Sequence, residues 1–139
     1  MSTFILKSYN QKEEISKPHF YILNKGNNSG KPLLIPCPNC FVIQFGNLED
    51  KERVYWILWC LWQSKAFYPL LRGSVIPFIT IRDFQKVLIR KLNQLPNPEL
   101  VMKVVEALNK FQALEDEYHQ KIKLLADAKL LVMRKIHPK

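Results

Sequence analysis

The pair Cys37-Pro38-Asn39-Cys40 is the pattern in this chain best suited to chemistry. Two thiolates at that spacing can share one zinc ion or close a redox disulfide. A structural zinc site needs four ligands, and the remaining cysteine, Cys60, stands alone in an apolar stretch. A thioredoxin-type couple opens a helix, whereas the residues that follow here, CFVIQF, read as a strand. Two ordinary thiols in a turn are therefore expected, with no metal and no cofactor. The odd cysteine count suits a reduced cytosol better than a disulfide framework. His19, His119 and His137 are scattered, and no nucleophile–base pair can be assembled from them. Carboxylates cluster at Glu13/Glu14, at Glu49/Asp50 and at 115–117. These read as a solvated pair, a helix start and an exposed helix face. GNNSGK, residues 26–31, lacks the spacing of a phosphate-binding loop and runs straight into Pro32. The expectation is a non-enzyme, with no small-molecule substrate indicated.

Basic and polar residues in turns are the stronger lead. Lys25, Asn27, Asn28, Ser29 and Lys31 share one turn, and Arg72 and Ser74 share a second. Arg82, Lys86, Arg90 and Lys91 follow soon after. Lys and Arg neutralise phosphates, and the Asn amide both donates and accepts at an adenine edge. A plain solvated surface would look similar, so the charge distribution matters. The chain of 139 residues carries 21 Lys plus Arg against 12 Asp plus Glu, a net +9. Residues 1–98 hold 13 basic and 6 acidic side chains, and residues 99–139 hold 8 and 6. The surplus sits mainly before the last proline-free stretch. With 47% hydrophobic and 24% charged residues, the chain has a globular balance and not that of a disordered tail.

The elements that must position these groups follow from pattern. Strands are expected near Phe4–Leu6, over His19–Lys25 and over Cys40–Phe45. Pro32, Pro36 and Pro38 exclude a helix between the last two. Asn47 is a plausible N-cap, with Glu49, Asp50 and Glu52 in the following turns, where acids suit the helix dipole. That helix should run to Tyr68 and stop before Pro69. Trp56, Trp59 and Trp62 lie on it at spacing three, among other apolar residues, and are expected in the core, with Cys60 a buried free thiol. Val75–Ile81 and Val87–Leu92 read as further strands, with Asp83 capping a short turn between them. Asn97-Pro98-Glu99 starts a helix that meets no Pro or Gly before Ile136. Its apolar groups at Val101, Val104, Leu108, Phe111, Tyr118, Ile122, Leu125 and Val132 repeat at three and four, with Glu115 and Lys129 interrupting the seam. Such a helix is too long to cover its stripe against a small domain.

The stretch LRGSVIPFITIRDFQKVLIRKL, residues 71–92, resembles the closing part of a target recognition domain in type I restriction-modification specificity subunits. The shared features are Gly73-Ser74, Pro77, Ile79 and Ile81, Asp83-Phe84, Val87 and Ile89, and the later Pro96. The helix before the Gly-Ser loop and the long terminal helix, which resembles that family's coiled-coil spacer, extend the likeness over about residues 41–136. The resemblance implies a single, shortened recognition domain that reads DNA and docks on another subunit.

Together these readings give an α+β domain over residues 1–95, with a small mixed sheet and one buried helix, then a long amphipathic helix over 98–136. The leading expectation is a cytoplasmic DNA-binding domain, with Lys25, Asn27, Asn28, Lys31, Arg72 and Arg82 on the nucleic acid. Leu108, Phe111, Tyr118, Ile122 and Leu125 are expected to form a homo-oligomer or to bind a partner subunit. The alternative is a protein-interaction scaffold that dimerises through the helix and leaves DNA alone. No signal-peptide layout is visible, and the longest apolar run, Val54 to Trp62, falls well short of the roughly 20 residues of a membrane span.

Overall fold

The computed structural model describes residues 3–138. Contacts divide the chain into two units, Met1–Met102 and Lys103–Lys139. The division falls inside a single helix, a little beyond the boundary expected from Pro96 and Pro98.

The first unit is α+β. Strands β1 (Phe4–Ser8), β2 (His19–Leu23), β3 (Pro32–Leu33) and β4 (Cys40–Phe45) form one sheet in the order β1-β4-β2-β3. Every pairing is antiparallel, so the sheet is not the mixed one expected. The connections before β4 carry turns and no helix, and a parallel neighbour would need a crossover of a dozen or more residues. Alternation sorts the side chains. Phe20 and Ile22 of β2 and Phe41, Ile43 and Phe45 of β4 enter the main core, joined by Phe4 and Leu6 of β1. Tyr21, Cys40 and Val42 lie on the opposite face, where Tyr9, Ile15, Leu33 and Cys37 cover them.

Helix α1 (Leu48–Gln63) starts as its sequence requires, with the Asn47 side chain accepting from the Asp50 N–H at 2.8 Å. It buries Val54, Ile57, Leu58 and Leu61 against the sheet. Those four fill the core-facing stripe, so the tryptophans fall beside it. Trp56, Trp59 and Trp62 are all half-buried and not core residues, and Cys60 is exposed and not buried. The helix ends five residues earlier than expected. Lys65 adopts a left-handed conformation with φ 60°. The Ala66 N–H bonds to Leu61 O at 2.9 Å and the Lys65 N–H to Trp62 O at 3.0 Å, the paired bonds of a Schellman stop. Glycine usually fills that position, because a Cβ there costs about 1 kcal/mol.

The two strands expected over Val75–Ile81 and Val87–Leu92 do not form. Residues 81–93 are instead helix α2 (Ile81–Asn93), the stretch that carried half of the resemblance. Thr80, not Asp83, is the N-cap, and its hydroxyl accepts from the Asp83 N–H at 3.2 Å. Phe84, Val87 and Leu88 then recur at helical spacing and close the core, with Phe84 stacked on Phe67 at 5.1 Å between centroids. Two helices, not one, therefore cover the sheet.

Helix α3 (Pro98–Met133) starts where Asn97 Oδ1 accepts from the Glu99 N–H at 2.9 Å. Its 36 residues extend about 54 Å at 1.5 Å per residue. None of them is buried. No helix among the described residues is long and apolar enough to cross a membrane.

Candidate functional site

The two turns singled out for their basic residues are joined by backbone hydrogen bonds. Residues 24–26 pair with 77–79, through the Gly26 N–H to Pro77 O at 2.6 Å and the Ile79 N–H to Asn24 O at 3.0 Å. Residues 72 and 78 exchange both of their bonds, at 2.8 and 2.9 Å. Phe78 is thus the direct partner of Lys25 on one side and of Arg72 on the other. Directly opposed residues of an antiparallel pair project from the same face. The result is a row of cation, aromatic ring, cation, with Phe78 39% exposed between an exposed Lys25 and an exposed Arg72. Gly73 makes the return possible, since a Cβ there would lie 2.8 Å from Ile76 O and its φ is +94°. Arg72 is also oriented by Asp83, whose Oδ2 accepts from Nη2 at 2.9 Å and from Nε at 3.2 Å.

Beside this row the Gly26–Gly30 turn folds back toward the end of α1. Ser29 is buried there, and its hydroxyl donates to Gly26 O at 2.7 Å. A cavity of about 320 Å³ opens between the two segments. Asn27, Asn28 and Ser29 of the turn line it, with Trp62, Gln63 and Lys65 from the end of α1 and its stop, and Phe67 and Tyr68 beyond. Gly30 is what brings Phe67 so close, because a Cβ on it would sit 2.4 Å from the ring. Lys31 lies over the tryptophans, with Nζ 5.0 Å from the Trp62 centroid and 5.7 Å from that of Trp59. Trp59 in turn keeps its Nε1 buried with no hydrogen-bond partner. No carboxylate lines the cavity.

Arg82 lies apart from these turns, on α2. It shares a solvent-facing ridge with Lys86 and Arg90 at four-residue steps, along a depression of about 510 Å³. Of the six residues expected to meet nucleic acid, Lys25, Asn27, Asn28, Lys31 and Arg72 therefore belong to hydrogen-bonded neighbouring turns, and Arg82 to a separate ridge. Trp62, expected in the core, lies with Lys65, Phe67, Tyr68 and Phe78 in the arrangement, and the last four carry no role in the sequence reading. An aromatic after a strand-breaking proline was a readable hint for Phe78. A left-handed lysine has no sequence signature.

The CxxC pair occupies the turn into β4. The Cys40 thiol donates to Cys37 O at 3.1 Å, and burial pushes it above the ordinary thiol range. Both thiols are free. His19 hydrogen-bonds to Tyr21 Oη at 3.1 Å and to Lys17 O at 2.7 Å, on the sheet face away from the helices. Among the described residues no three His, Cys, Asp or Glu side chains gather in a metal-ligating group. On α3, Phe111, Tyr118, Ile122 and Leu125 are 55–68% exposed, and Leu108 is half-buried.

Comparison with known proteins supplies one match. The model of a family of unknown function, DUF6943, matches residues 6–135, and the chain belongs to that family. No curated protein and no solved structure matches the chain.

Proposed function

We propose that the first unit of this DUF6943 chain is a non-enzymatic DNA-binding domain. The observation that carries the reading is the Lys25–Phe78–Arg72 row beside the asparagine turn. An exposed aromatic ring between two cations suits a base flanked by its phosphates. Stacking on it is worth about 1–3 kcal/mol per base, and the cations add contacts to the backbone. Lys25, Arg72 and Arg82 serve phosphates, and Asn27 and Asn28 offer amides to a base edge. Lys31, whose charge lies over Trp62 and Trp59, offers a further phosphate contact beside those rings. The exposed ring favours a single strand or an unstacked end over an intact duplex.

Titration of duplex and single-stranded DNA at two salt concentrations tests this. Phosphate contacts require log affinity to fall linearly with log salt, by roughly 0.9 per contact on duplex and roughly 0.7 on single strands. Phe78→Ala should weaken single-strand binding by about tenfold, as one stacked base is worth. Failure of both DNAs to bind at low salt ends the proposal.

A second reading has its own observation, the exposed apolar stripe of α3. Under it the chain is a scaffold, and Leu108, Phe111, Tyr118, Ile122 and Leu125 pair with another helix. Sedimentation of Phe111→Asp against the parent tests it, and an unchanged oligomeric state removes the pairing.

A further inference from the structure

We infer that the cavity beside the Gly26–Gly30 turn is a subsite for one nucleotide, with the base between its aromatic walls and the 5′-phosphate on Lys65. This deepens the nucleic-acid reading above and rests on it. Its volume, about 320 Å³, is at the small end of ligand pockets and admits a single planar group with its sugar. Trp62 and Tyr68 supply aromatic surface, and Tyr68 is 60% exposed, so its ring is available to a guest. Asn27 and Asn28 bring two amides, each able to donate and accept, the requirement for pairing with a base edge. The Ser29 hydroxyl spends its proton on Gly26 O and leaves an acceptor for an exocyclic amine. With no carboxylate in the lining and Lys65 among the lining residues, the cavity favours an anion.

Lys65 is the most telling of these residues. It occupies the left-handed position of the α1 stop, where glycine would be favoured, and it is one of the residues that line the cavity. A lysine at a position that disfavours any side chain is accounted for if its ammonium holds an anion there. The stop also fixes where it stands, because the Schellman bonds hold the backbone on both sides.

The position gives an unusually clean test. Lys65→Gly removes the cation and relieves the backbone, so the variant should melt higher while binding nucleotide more weakly. A loss of binding cannot then be blamed on unfolding. The full-length chain is titrated with adenosine and cytidine 5′-monophosphates, with adenosine, and with ribose 5-phosphate, by tryptophan fluorescence and calorimetry. Saturable binding of a monophosphate is expected, weakened roughly tenfold by Lys65→Gly and by Tyr68→Ala. Adenosine should bind more weakly than its monophosphate and be insensitive to Lys65→Gly. Absence of saturable monophosphate binding at millimolar concentration overturns the subsite, as does an affinity unchanged in Lys65→Gly. Ribose 5-phosphate binding as tightly as the nucleotides would also overturn it, since the base would then contribute nothing. If single-stranded DNA still binds in any of these cases, the DNA reading stands without the subsite. Monophosphate binding with no DNA binding would keep the subsite and end the DNA reading.

Discussion

Phe84 and Phe111 are the same side chain in opposite circumstances. Phe84 is fully buried, stacked on Phe67 and tilted against Phe41. Phe111 is 68% exposed on α3. The contrast holds across their units. Residues up to Met102 enclose a continuous core between the sheet and two helices. Residues beyond it form one helix with an apolar seam and no buried residue. A unit whose apolar groups satisfy one another is built to hold a surface still. A helix whose seam is left open leaves that apolar surface to solvent. The basic turns belong to the first kind and the exposed seam to the second, so the proposed nucleic-acid surface and the unpartnered apolar stripe lie in different parts of the chain.

The sharpest way to break this comparison is to truncate both phenylalanines. Phe84→Ala should cost about 3–5 kcal/mol in urea unfolding, the usual loss for a large aromatic in a closed core. Phe111→Ala should change the unfolding of the dilute chain by less than about 0.5 kcal/mol. Equal effects would mean that the seam is already satisfied. Next in size is Gly30→Ala, which sets a Cβ 2.4 Å from the Phe67 ring at a backbone φ of +100°. At least about 2 kcal/mol should be lost, because both the ring and the turn must move.

Capping gives a middle-sized test confined to the first unit. Asn47→Ala and Thr80→Ala should each cost about 1 kcal/mol, measured by thermal melts, since each leaves a helix-terminal N–H unsatisfied. On α3 the corresponding polar contact is worth less. Lys121 and Glu117 approach to 3.1 Å, but both side chains are more than half exposed, and Lys121→Ala should cost less than about 0.5 kcal/mol. The smallest effect is on pH dependence. Burial raises Tyr21 above the ordinary phenol value, with Tyr9 and Cys40 adding to it, and burial likewise raises Cys40. Groups raised in the folded state contribute stability that is full below their unfolded values and is lost as pH climbs through the folded ones. Stability should therefore be insensitive to these groups at neutral pH and decline on the alkaline side. Tyr21→Phe should soften that decline, as chemical denaturation at alkaline pH would show.

The parts of the fold legible in the sequence were those set by short, strong local signals. HFYIL and CFVIQF alternate cleanly, Asn47 with its acidic turn announces α1, and Asn97-Pro98-Glu99 announces α3. The region from Val75 to Leu92 misled because its β-branched residues suggest strands, and a short window such as VLIRKL fits both periods. The decisive mark was Thr80 three residues before Asp83, a capping arrangement that outweighs composition. The tryptophans misled for a geometric reason. Spacing three drifts around a helix, and four aliphatic residues already fill the buried stripe of α1. The basic candidates were named by residue type alone, and the pairing that brings Lys25 beside Arg72 was not legible. That Lys25 and Arg72 flank Phe78 depends on pairing between residues about fifty apart in sequence.

The strand order has a consequence for the birth of the molecule. During synthesis β1 and β2 emerge first, yet they are not neighbours, because β4 lies between them. Neither can complete its ladder until Phe45 has left the ribosome, and the core stays open until Phe84 arrives on α2. For that interval the nascent chain displays two incomplete edges rich in Phe and Ile, the condition under which strands pair with the wrong partner. By the time the heptad seam of α3 is made, every strand has its neighbour. The exposed apolar stripe of α3 is translated only after the strands most easily mispaired have been made.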